Sequence, residues 1–274
     1  MQQIPSRTLK IFVLVTLAAA CAPIFVSEDP DNLSEMAAEI TTKNGLKAMQ
    51  AGQPTQPMVL FIHGTPGSWH AFKDYLVHPR LVSSLNLVAV DRPGFGRSAD
   101  LALAPSLTRQ SELIAGLFDL NLSGQPIVVV GHSLGGSIGL RVAVDHPDSV
   151  GALLSISAAL SPELGKPRWY NRLAALPLVR YVVPADLKLA NAEIMPLRDE
   201  LNVLQHQLAK IRIPVTIIQG SEDPLVNPDN AAYAEAKLIN AQLKVDRFPE
   251  EGHFIVWSHV DHVVDEILRL SKQH

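Results

Sequence analysis

Five near-continuous apolar runs recur along the chain, and they constrain its fold more than any other feature. Runs of this kind are buried on both faces, which is typical of the central strands of a parallel sheet. Longer stretches with helical periodicity separate them. The pattern therefore predicts alternating β and α units in an open, mostly parallel α/β sheet flanked by helices. The five runs are residues 57–62, 85–90, 126–130, 152–157 and 214–219.

Three further segments predict strands at the margins, which makes the sheet eight-stranded. Residues 37–42 and 46–51 are joined across Asn44-Gly45, a strong hairpin signal. Residues 242–248 are more mixed in polarity and fit an edge strand. Helices are predicted over four stretches: Ser106–Leu120, Leu134–His146, Asp229–Ile239 and His259–Lys272.

Residues 160–210 break the alternation and predict short helices without a strand. Five prolines lie in this stretch: Pro162, Pro167, Pro177, Pro184 and Pro196. We interpret the stretch as a small helical cap inserted between two core strands. The alternative is a long surface connection with no role of its own, although long structureless loops are uncommon in compact domains.

The N-terminus is typical of an export signal. Arg7 and Lys10 precede the uncharged segment 11–20, which is too short to span a bilayer. Cys21, the only cysteine of the chain, follows small residues at 18–20. This arrangement resembles the lipobox of bacterial lipoproteins, and that resemblance implies cleavage before Cys21 and lipidation of its thiol. The alternative is ordinary signal-peptide cleavage near the same point.

The signal divides the chain into three parts. Residues 1–20 are the predicted signal peptide, residues 21–35 a polar tether and residues 36–274 the folded domain. Ala22, rather than an acidic residue, follows the cysteine. By the resemblance to lipoproteins, this implies a membrane-anchored protein of the outer membrane, facing the periplasm of a Gram-negative host.

A candidate nucleophile lies where the strand over 126–130 passes into the next helix. Gly131-His132-Ser133-Leu134-Gly135 fits the pattern G-x-S-x-G at a strand-to-helix turn. The turn is tight and strained, so residues without side chains are needed on both sides of the serine. The context predicts that Ser133 is a nucleophile whose hydroxyl is raised above the sheet.

A serine hydroxyl needs a base to remove its proton and a third group to orient that base. His253 lies on the loop after the last predicted strand, which makes it the candidate base. Glu222 and Asp223 follow the strand over 214–219, and either carboxylate could orient the histidine. We expect Asp223 to fill this role, with Glu222 as the rival.

Two backbone N–H groups are candidates for an oxyanion hole. His63-Gly64-Thr65 begins a glycine-rich turn directly after the strand over 57–62. Such a turn at a strand end can offer a backbone N–H to a developing oxyanion. The N–H groups of Thr65 and Leu134 would then form the pair.

One glycine-rich segment imitates a dinucleotide site. Residues 94–99 fit the pattern G-x-G-x-x-A after a strand. However, Pro105 interrupts the chain before the next helical stretch begins, so phosphates would have no helix N-terminus to contact. We expect a structural loop there and neither a nucleotide cofactor nor a metal.

Taken together, five motifs resemble the α/β-hydrolase superfamily over about residues 40–270. The resemblance implies Ser133 as nucleophile, Asp223 as acid, His253 as base, and Thr65 and Leu134 as oxyanion donors. The loops are most similar to the epoxide-hydrolase and dehalogenase-like branch, whose alkylating enzymes use an aspartate nucleophile. The serine argues instead for acyl transfer to water. The motifs, in chain order, are HGTPG, DRPGFGRS, GHSLGG, GSEDP and EEGHF.

We therefore expect a serine hydrolase that cleaves a small to medium carboxylic ester through an acyl-enzyme intermediate. An amide-cleaving peptidase, a carbon–carbon hydrolase and a non-catalytic ligand-binding lipoprotein remain alternatives. The net charge of −4 provides no basic footprint for nucleic acid. The expected partners are a small-molecule ester and, through the N-terminal anchor, a membrane.

Four aromatic residues are candidates for the substrate pocket. Trp169 and Tyr170 lie in the predicted cap, while Trp69 and Phe72 lie in the loop after the strand over 57–62. An apolar acyl pocket needs such side chains. Equally, they could pack the cap onto the core, because buried aromatic residues are common core residues.

Overall fold

The computed structural model describes residues 33–273. The predicted signal peptide, Cys21 and the tether as far as residue 32 lie outside the described residues. The described part begins with a one-turn helix, α1 (Leu33–Met36), whose Leu33 side chain is buried. The described part of the chain therefore begins inside the stretch that the sequence assigns to the tether.

Eight strands form one sheet in the described part of the chain, which confirms the predicted α/β class and strand number. Their order across the sheet is β1-β2-β4-β3-β5-β6-β7-β8. The pairs β1–β2 and β2–β4 are antiparallel, and all other pairs are parallel. The strands are β1 (Ala37–Thr41), β2 (Lys47–Ala51), β3 (Met58–Ile62), β4 (Asn86–Asp91), β5 (Ile127–His132), β6 (Val150–Ile156), β7 (Pro214–Gly220) and β8 (Gln242–Phe248).

The central strands are buried on both faces, as their continuous apolar runs predict. In β3, Leu60 and Ile62 belong to one apolar cluster and Val59 and Phe61 to the other. Every residue of β3, β4, β5 and β6 is buried. In contrast, β8 lies at an edge and is only partly buried, which explains its mixed sequence.

Helices cover both faces of the sheet. The four predicted helical stretches are all present, with ends that shift by at most two residues, and the first of them finishes as a 3₁₀ turn. The region just after β3 forms short helices that the sequence pattern did not reveal. The helices of the core are α2 (Lys73–Leu76), α3 (Pro79–Val82), α4 (Leu107–Ile114), α5 (Leu134–Asp145), α9 (Asn230–Lys237), α10 (Ile255–Ser258) and α11 (Val260–Leu270). Within residues 33–273, no helix combines the length and hydropathy that crossing a membrane would need.

Between β6 and β7 the chain forms three helices and no strand. They are α6 (Trp169–Ala174), α7 (Pro177–Arg180) and α8 (Ala185–Gln205). The length of α8 differs from the expected short helices, since Pro196 lies inside it without ending it. The buried side chains of Leu197 and Leu201 beyond the proline hold the helix against the core.

Candidate active site

Ser133 occupies a sharp turn between β5, which ends at His132, and α5, which begins at Leu134. Its backbone has φ 55° and ψ −124°, a conformation that is strained for a residue with a side chain. A Cβ atom at Gly131 would collide with the carbonyl oxygen of Gly135, and one at Gly135 would collide with that of Ile62. The two glycines of the motif are therefore required by contact distances and not only by turn geometry.

His253 and Asp223 form a buried hydrogen-bonded pair. His253 Nδ1 lies 2.8 Å from Asp223 Oδ2, and the two side chains are 4% and 0% exposed. Asp223 follows β7 and His253 follows β8. Because these neighbouring strands are parallel, both residues lie at the edge of the sheet that the carboxyl ends of the strands form. Because the carboxylate accepts from Nδ1, the opposite ring nitrogen, Nε2, is left to act as a base.

Several neighbours keep the Asp223 carboxylate ionised and in place. Oδ1 accepts hydrogen bonds from the N–H groups of Leu225 and Val226, at 2.9 and 2.8 Å. Burial by itself would raise the pKa of Asp223, but the hydrogen bond and charge of His253, with these two N–H groups, hold the pKa below its ordinary value. Gln219 also donates to Oδ2, at 3.2 Å. Gln219 is a buried contributor that the sequence pattern did not indicate.

Of the two carboxylates weighed from the sequence, only Asp223 contacts the histidine. Glu222 is exposed, whereas Asp223 is buried. The backbone N–H of Glu222 donates to the carbonyl of Glu251 at 2.9 Å, and this bond holds the loop beside its partner loop. The geometry favours Asp223 as the orienting acid.

Ser133 and His253 line the same small pocket, which has a volume of about 60 Å³. Its walls are mostly backbone and apolar side chains, with Leu225, Phe254 and Trp257 among them. A larger cavity of about 470 Å³ lies at the amino ends of the parallel strands, around Pro126 and Pro147. We place the site in the smaller pocket, because the lining of the larger one contains no ionisable or nucleophilic side chain.

The two predicted oxyanion donors both lie near Ser133. Leu134 is the first residue of α5, where a backbone N–H has no acceptor within the helix. Thr65 lines the pocket, and the preceding Gly64 approaches so closely that a Cβ atom there would lie 2.9 Å from Ser133 Cβ. Thr65 Oγ1 is buried and has no hydrogen-bond partner among the described residues. A substrate oxygen in this pocket would therefore meet polar groups that have not been satisfied elsewhere.

His132 supports His253 from behind. Its Nε2 lies 3.1 Å from the carbonyl oxygen of His253, and its ring packs against Trp257. Burial, assisted by the nearby His253, lowers the pKa of His132 to about 3. His132 is therefore neutral, and it holds the backbone of His253 by donating a hydrogen bond instead of moving protons.

His63 and Arg92 fix the loop that carries Thr65. The Arg92 backbone N–H donates to His63 Nε2 at 3.0 Å, so His63 Nδ1 carries the proton and donates to the Gly64 carbonyl at 2.7 Å. Burial, and then the charge of Arg92, lower the pKa of His63 well below its ordinary value. The Arg92 guanidinium adds hydrogen bonds to the carbonyls of His63 and Gly64, at 3.0 and 2.7 Å.

The helix α8 reaches this loop through a buried ion pair. Glu193 on α8 contacts the Arg92 guanidinium at 2.5 and 3.1 Å, and the two side chains are 1% and 0% exposed. Gln110 donates to the same carboxylate at 2.9 Å. About two helical turns further along α8, Glu200 accepts a hydrogen bond from the backbone N–H of Leu107 at 2.8 Å and so caps the N-terminus of α4. Two acidic residues of α8 therefore attach the cap to the core.

Comparison with known proteins agrees with this fold. The model of the "Alpha/beta hydrolase family" matches residues 59–269, which is more than half of the chain. The chain belongs to this family. Curated relatives from Escherichia coli carry the name "Putative carbamate hydrolase RutD". That of strain E24377A is 30% identical over 227 residues, covering 70% of this chain and 83% of the relative.

Solved structures with the same α/β-hydrolase fold are more distant in sequence. Cfl2 from Burkholderia cenocepacia superposes with a TM-score of 0.70 at 16% identity, covering 86% of this chain and 95% of that chain. A hydrolase from Pseudomonas aeruginosa PA01 superposes with a TM-score of 0.65 at 19% identity, covering 86% and 98%. At these identities, the likeness extends to the fold alone.

The aromatic residues considered for the pocket of this α/β hydrolase lie elsewhere. Trp69 and Phe72 are 2% and 1% exposed and belong to the core cluster around Phe61. Trp169 is 58% exposed on the cap, beside the half-buried Tyr170. The sequence could not distinguish aromatic residues that line the pocket from those that pack in the core, because a buried aromatic ring suits both environments. Phe254 and Trp257, next to His253, line the pocket instead.

The loop with dinucleotide-like glycines has a structural role in the α/β-hydrolase fold. The Asp91 carboxylate accepts hydrogen bonds from the backbone N–H groups of Trp69 and Arg97, at 2.8 Å each. Gly96 has φ 51°, and a Cβ atom there would collide with this carboxylate. A glycine is therefore needed at position 96 because the Asp91 carboxylate packs against the backbone there. The next α-helix begins only at Leu107.

Proposed function

We propose that this α/β hydrolase cleaves small to medium carboxylic esters through an acyl-enzyme. His253 Nε2 removes the proton of Ser133 Oγ as this oxygen attacks the ester carbonyl carbon. The C–O bond to the alcohol then breaks, and the histidine returns the proton to the leaving alcohol. Asp223 keeps the ring in the required tautomer and stabilises its cationic form.

The second half of the reaction uses the same groups. His253 deprotonates a water molecule, which attacks the acyl carbon and releases the acid and Ser133. In both halves the carbonyl oxygen becomes negative, and the N–H groups of Thr65 and Leu134 would stabilise it. The helix dipole of α5 adds to this stabilisation, because its N-terminus faces the serine.

One observation carries the proposal: the buried His253–Asp223 pair opens onto the same pocket as a serine in a strained turn. A non-catalytic binding protein would need none of these constraints. The pocket volume of about 60 Å³ supports a small acyl group, since pockets that enclose drug-sized ligands have volumes of roughly 300–1,000 Å³. Long acyl chains would require the cap to move.

Carbamate cleavage is a second candidate, supported by the similarity to relatives named "Putative carbamate hydrolase RutD". A carbamate presents a carbonyl carbon of the same kind, with nitrogen in place of the alkyl group of the acid. The same nucleophile and oxyanion donors would serve. A small pocket also suits this substrate.

The test combines covalent labelling with a substrate series. A fluorophosphonate probe should label the wild-type chain and the control Ser221→Ala, whose serine is exposed, but not Ser133→Ala. Ser133→Ala should also lower ester turnover by roughly 10³–10⁶-fold without loss of fold. Absence of labelling in the folded wild type would favour the ligand-binding alternative and overturn the proposal.

Substrate class is resolved by comparing p-nitrophenyl esters of rising chain length with an aryl carbamate, a peptide amide and a β-diketone. We expect the largest kcat/KM for acetate or butyrate. A maximum for the carbamate would select the second candidate. Preference for the amide or the diketone would indicate a peptidase or a carbon–carbon hydrolase, and a maximum at long chains would contradict the small-pocket argument.

We also propose that the protein is exported and anchored through lipid on Cys21, in the outer membrane facing the periplasm. The support is the sequence pattern of residues 7–21. Cys21→Ser should convert the membrane-bound protein to an uncleaved or soluble form, measured by cell fractionation. Mass spectrometry of the N-terminal peptide should show a lipid adduct in the wild type, and a freely soluble wild type without this adduct would reject lipidation.

A further inference from the structure

The outermost part of the cap exposes an unusual concentration of apolar side chains. We define the outer cap as residues 164–185, which include α6 and α7. Six of the ten large apolar side chains that are exposed in the described part of the chain lie there. The other four are scattered singly, as is normal for a protein surface. The six are Trp169 (58% exposed), Leu173 (37%), Leu176 (51%), Leu178 (86%), Tyr181 (85%) and Val182 (81%).

The outer cap is also the most basic segment of an acidic protein. Residues 164–185 contain four basic residues and no Asp or Glu, although the whole chain has a net charge of −4. Lys166 pairs with Glu163, and Arg168 donates to two backbone carbonyls. Within residues 33–273, Arg172 and Arg180 have no ion-pair partner, and both are exposed. The charge of these two arginines is therefore available to an external partner.

The combination of features favours a lipid surface as that partner. Short helices with basic residues beside Trp, Tyr and Leu are typical of segments that lie in the headgroup region of a bilayer. An apolar protein groove would cover the apolar side chains but would not need the unpaired arginines. An anionic phospholipid bilayer complements both features, because its acyl chains accept the apolar side chains and its headgroups attract the arginines. We propose that the outer cap docks on an anionic bilayer, with its apolar side chains inserted below the headgroups.

Docking there would place the pocket next to the membrane. Arg168, at the start of α6, donates hydrogen bonds to the carbonyls of Pro224 and Leu225 at 2.8 and 3.0 Å. Leu225 lines the pocket of Ser133, and its backbone N–H holds Asp223. The outer cap is therefore attached directly to the rim of the site. This inference concerns where the enzyme sits and does not depend on which substrate it cleaves.

The test uses the full chain reconstituted into vesicles that carry doxyl-labelled phosphatidylcholine. One set is phosphatidylcholine alone, and the other contains roughly one third phosphatidylglycerol as the anionic lipid. Trp169 fluorescence should be quenched only in the anionic set. Trp69 is 2% exposed and Trp257 half-buried, so subtracting the signal of Trp169→Phe isolates the contribution of Trp169.

Charge variants test the role of the two arginines. Arg172→Gln/Arg180→Gln should weaken cap association with the anionic vesicles by roughly 25-fold, at about fivefold per cation. The matched control is Lys210→Gln/Arg212→Gln, an exposed pair just before β7 at the opposite edge of the sheet. This control should leave quenching unchanged, and neither pair touches the catalytic groups.

Three outcomes would overturn the inference. Equal quenching in neutral and anionic vesicles would remove the role of charge. An equal loss in the Lys210/Arg212 control would show that net charge, and not the outer cap, drives the association. Shielding of Trp169 from aqueous acrylamide in neutral vesicles without doxyl quenching would show that a second copy or residues 1–32 cover the face. Ester turnover measured on the same samples reports separately on the proposed reaction.

Discussion

We call the edge of the sheet that carries the proposed catalytic residues Ser133, Asp223 and His253 the catalytic edge. The catalytic edge and the outer cap hold their charged groups in opposite ways. At the edge, Asp223, His253, His132 and Arg92 are buried, and each makes specific hydrogen bonds. In the outer cap, arginines and large apolar side chains lie in solvent instead. Preorganised polar groups suit a reaction in which charge develops at one fixed point. A surface that adapts to a fluid partner has no such requirement.

The helix α8 joins the two regions. Its inner face carries Glu193 and Glu200, which attach to the core at Arg92 and at the start of α4. Asn191, also on α8, exchanges hydrogen bonds with Asn171 of α6, at 2.9 and 3.0 Å. The cap is therefore firmly held on one side and open to solvent on the other.

The largest expected effect comes from the orienting acid of the catalytic edge. Asp223→Asn should lower kcat by roughly 10³–10⁴-fold, because an amide favours the wrong tautomer of His253. The exposed neighbour is the control, and Glu222→Gln should stay within about twofold of the wild type. Steady-state kinetics with a short ester measures both variants. If Glu222→Gln were the more damaging change, the acid would be misassigned.

The buried ion pair between cap and core should carry the next largest effect. Glu193→Leu leaves the Arg92 guanidinium buried without a counter-charge, which costs about 3–5 kcal/mol of unfolding free energy. Glu193→Gln keeps a hydrogen-bond acceptor and should cost less. Glu163→Gln is the matched control, since that carboxylate is 65% exposed and its ion pairs contribute little. Urea unfolding measures all three.

The same variants should also affect turnover, because Arg92 holds the carbonyls of His63 and Gly64 beside the oxyanion site. We expect kcat of Glu193→Gln to fall while KM changes little, as transition-state contacts are lost. An unchanged kcat in Glu193→Gln, together with full stability, would show that the cap is not coupled to the site.

The neutral histidines of the catalytic edge make stability depend on pH. The pKa of His132 is about 3 in the folded protein, against about 6.5 in an unfolded chain. Between these values only the unfolded state binds the proton, so unfolding free energy falls as pH falls, with a slope of about 1.4 kcal/mol per pH unit for each such group. His63 adds a second contribution in the same direction.

His132→Asn removes one of these protons and keeps a donor for the His253 carbonyl. Its unfolding free energy should therefore vary with pH less steeply than that of the wild type between about pH 4 and 6, by about one proton. His206→Asn is the control, because His206 is exposed. Urea unfolding at a series of pH values measures the slopes. An unchanged slope in His132→Asn would show that this ring is not held neutral.

The elements that the sequence predicted well are those set by local pattern. The strands follow from continuous apolar runs, and the turn at Ser133 follows from glycines two residues away on each side. The Arg92–Glu193 pair was not predictable in this way, since it joins residues 101 apart that carry no shared motif. The sequence did not reveal that Trp69 and Phe72 lie in the core and not in the pocket, because an aromatic residue has the same sequence signature in both environments.

The smallest expected effect tests the outer cap itself. Leu178 is 86% exposed and Leu154 in β6 is 0% exposed, so the same substitution can be compared at both. Leu154→Ala should lower the unfolding free energy by about 2–5 kcal/mol, through lost burial and a cavity. Leu178→Ala should change it by less than about 0.5 kcal/mol, because that side chain gains nothing from folding. Urea unfolding of the full chain measures both, and a loss at Leu178 close to that at Leu154 would mean that the outer cap is covered in the free protein.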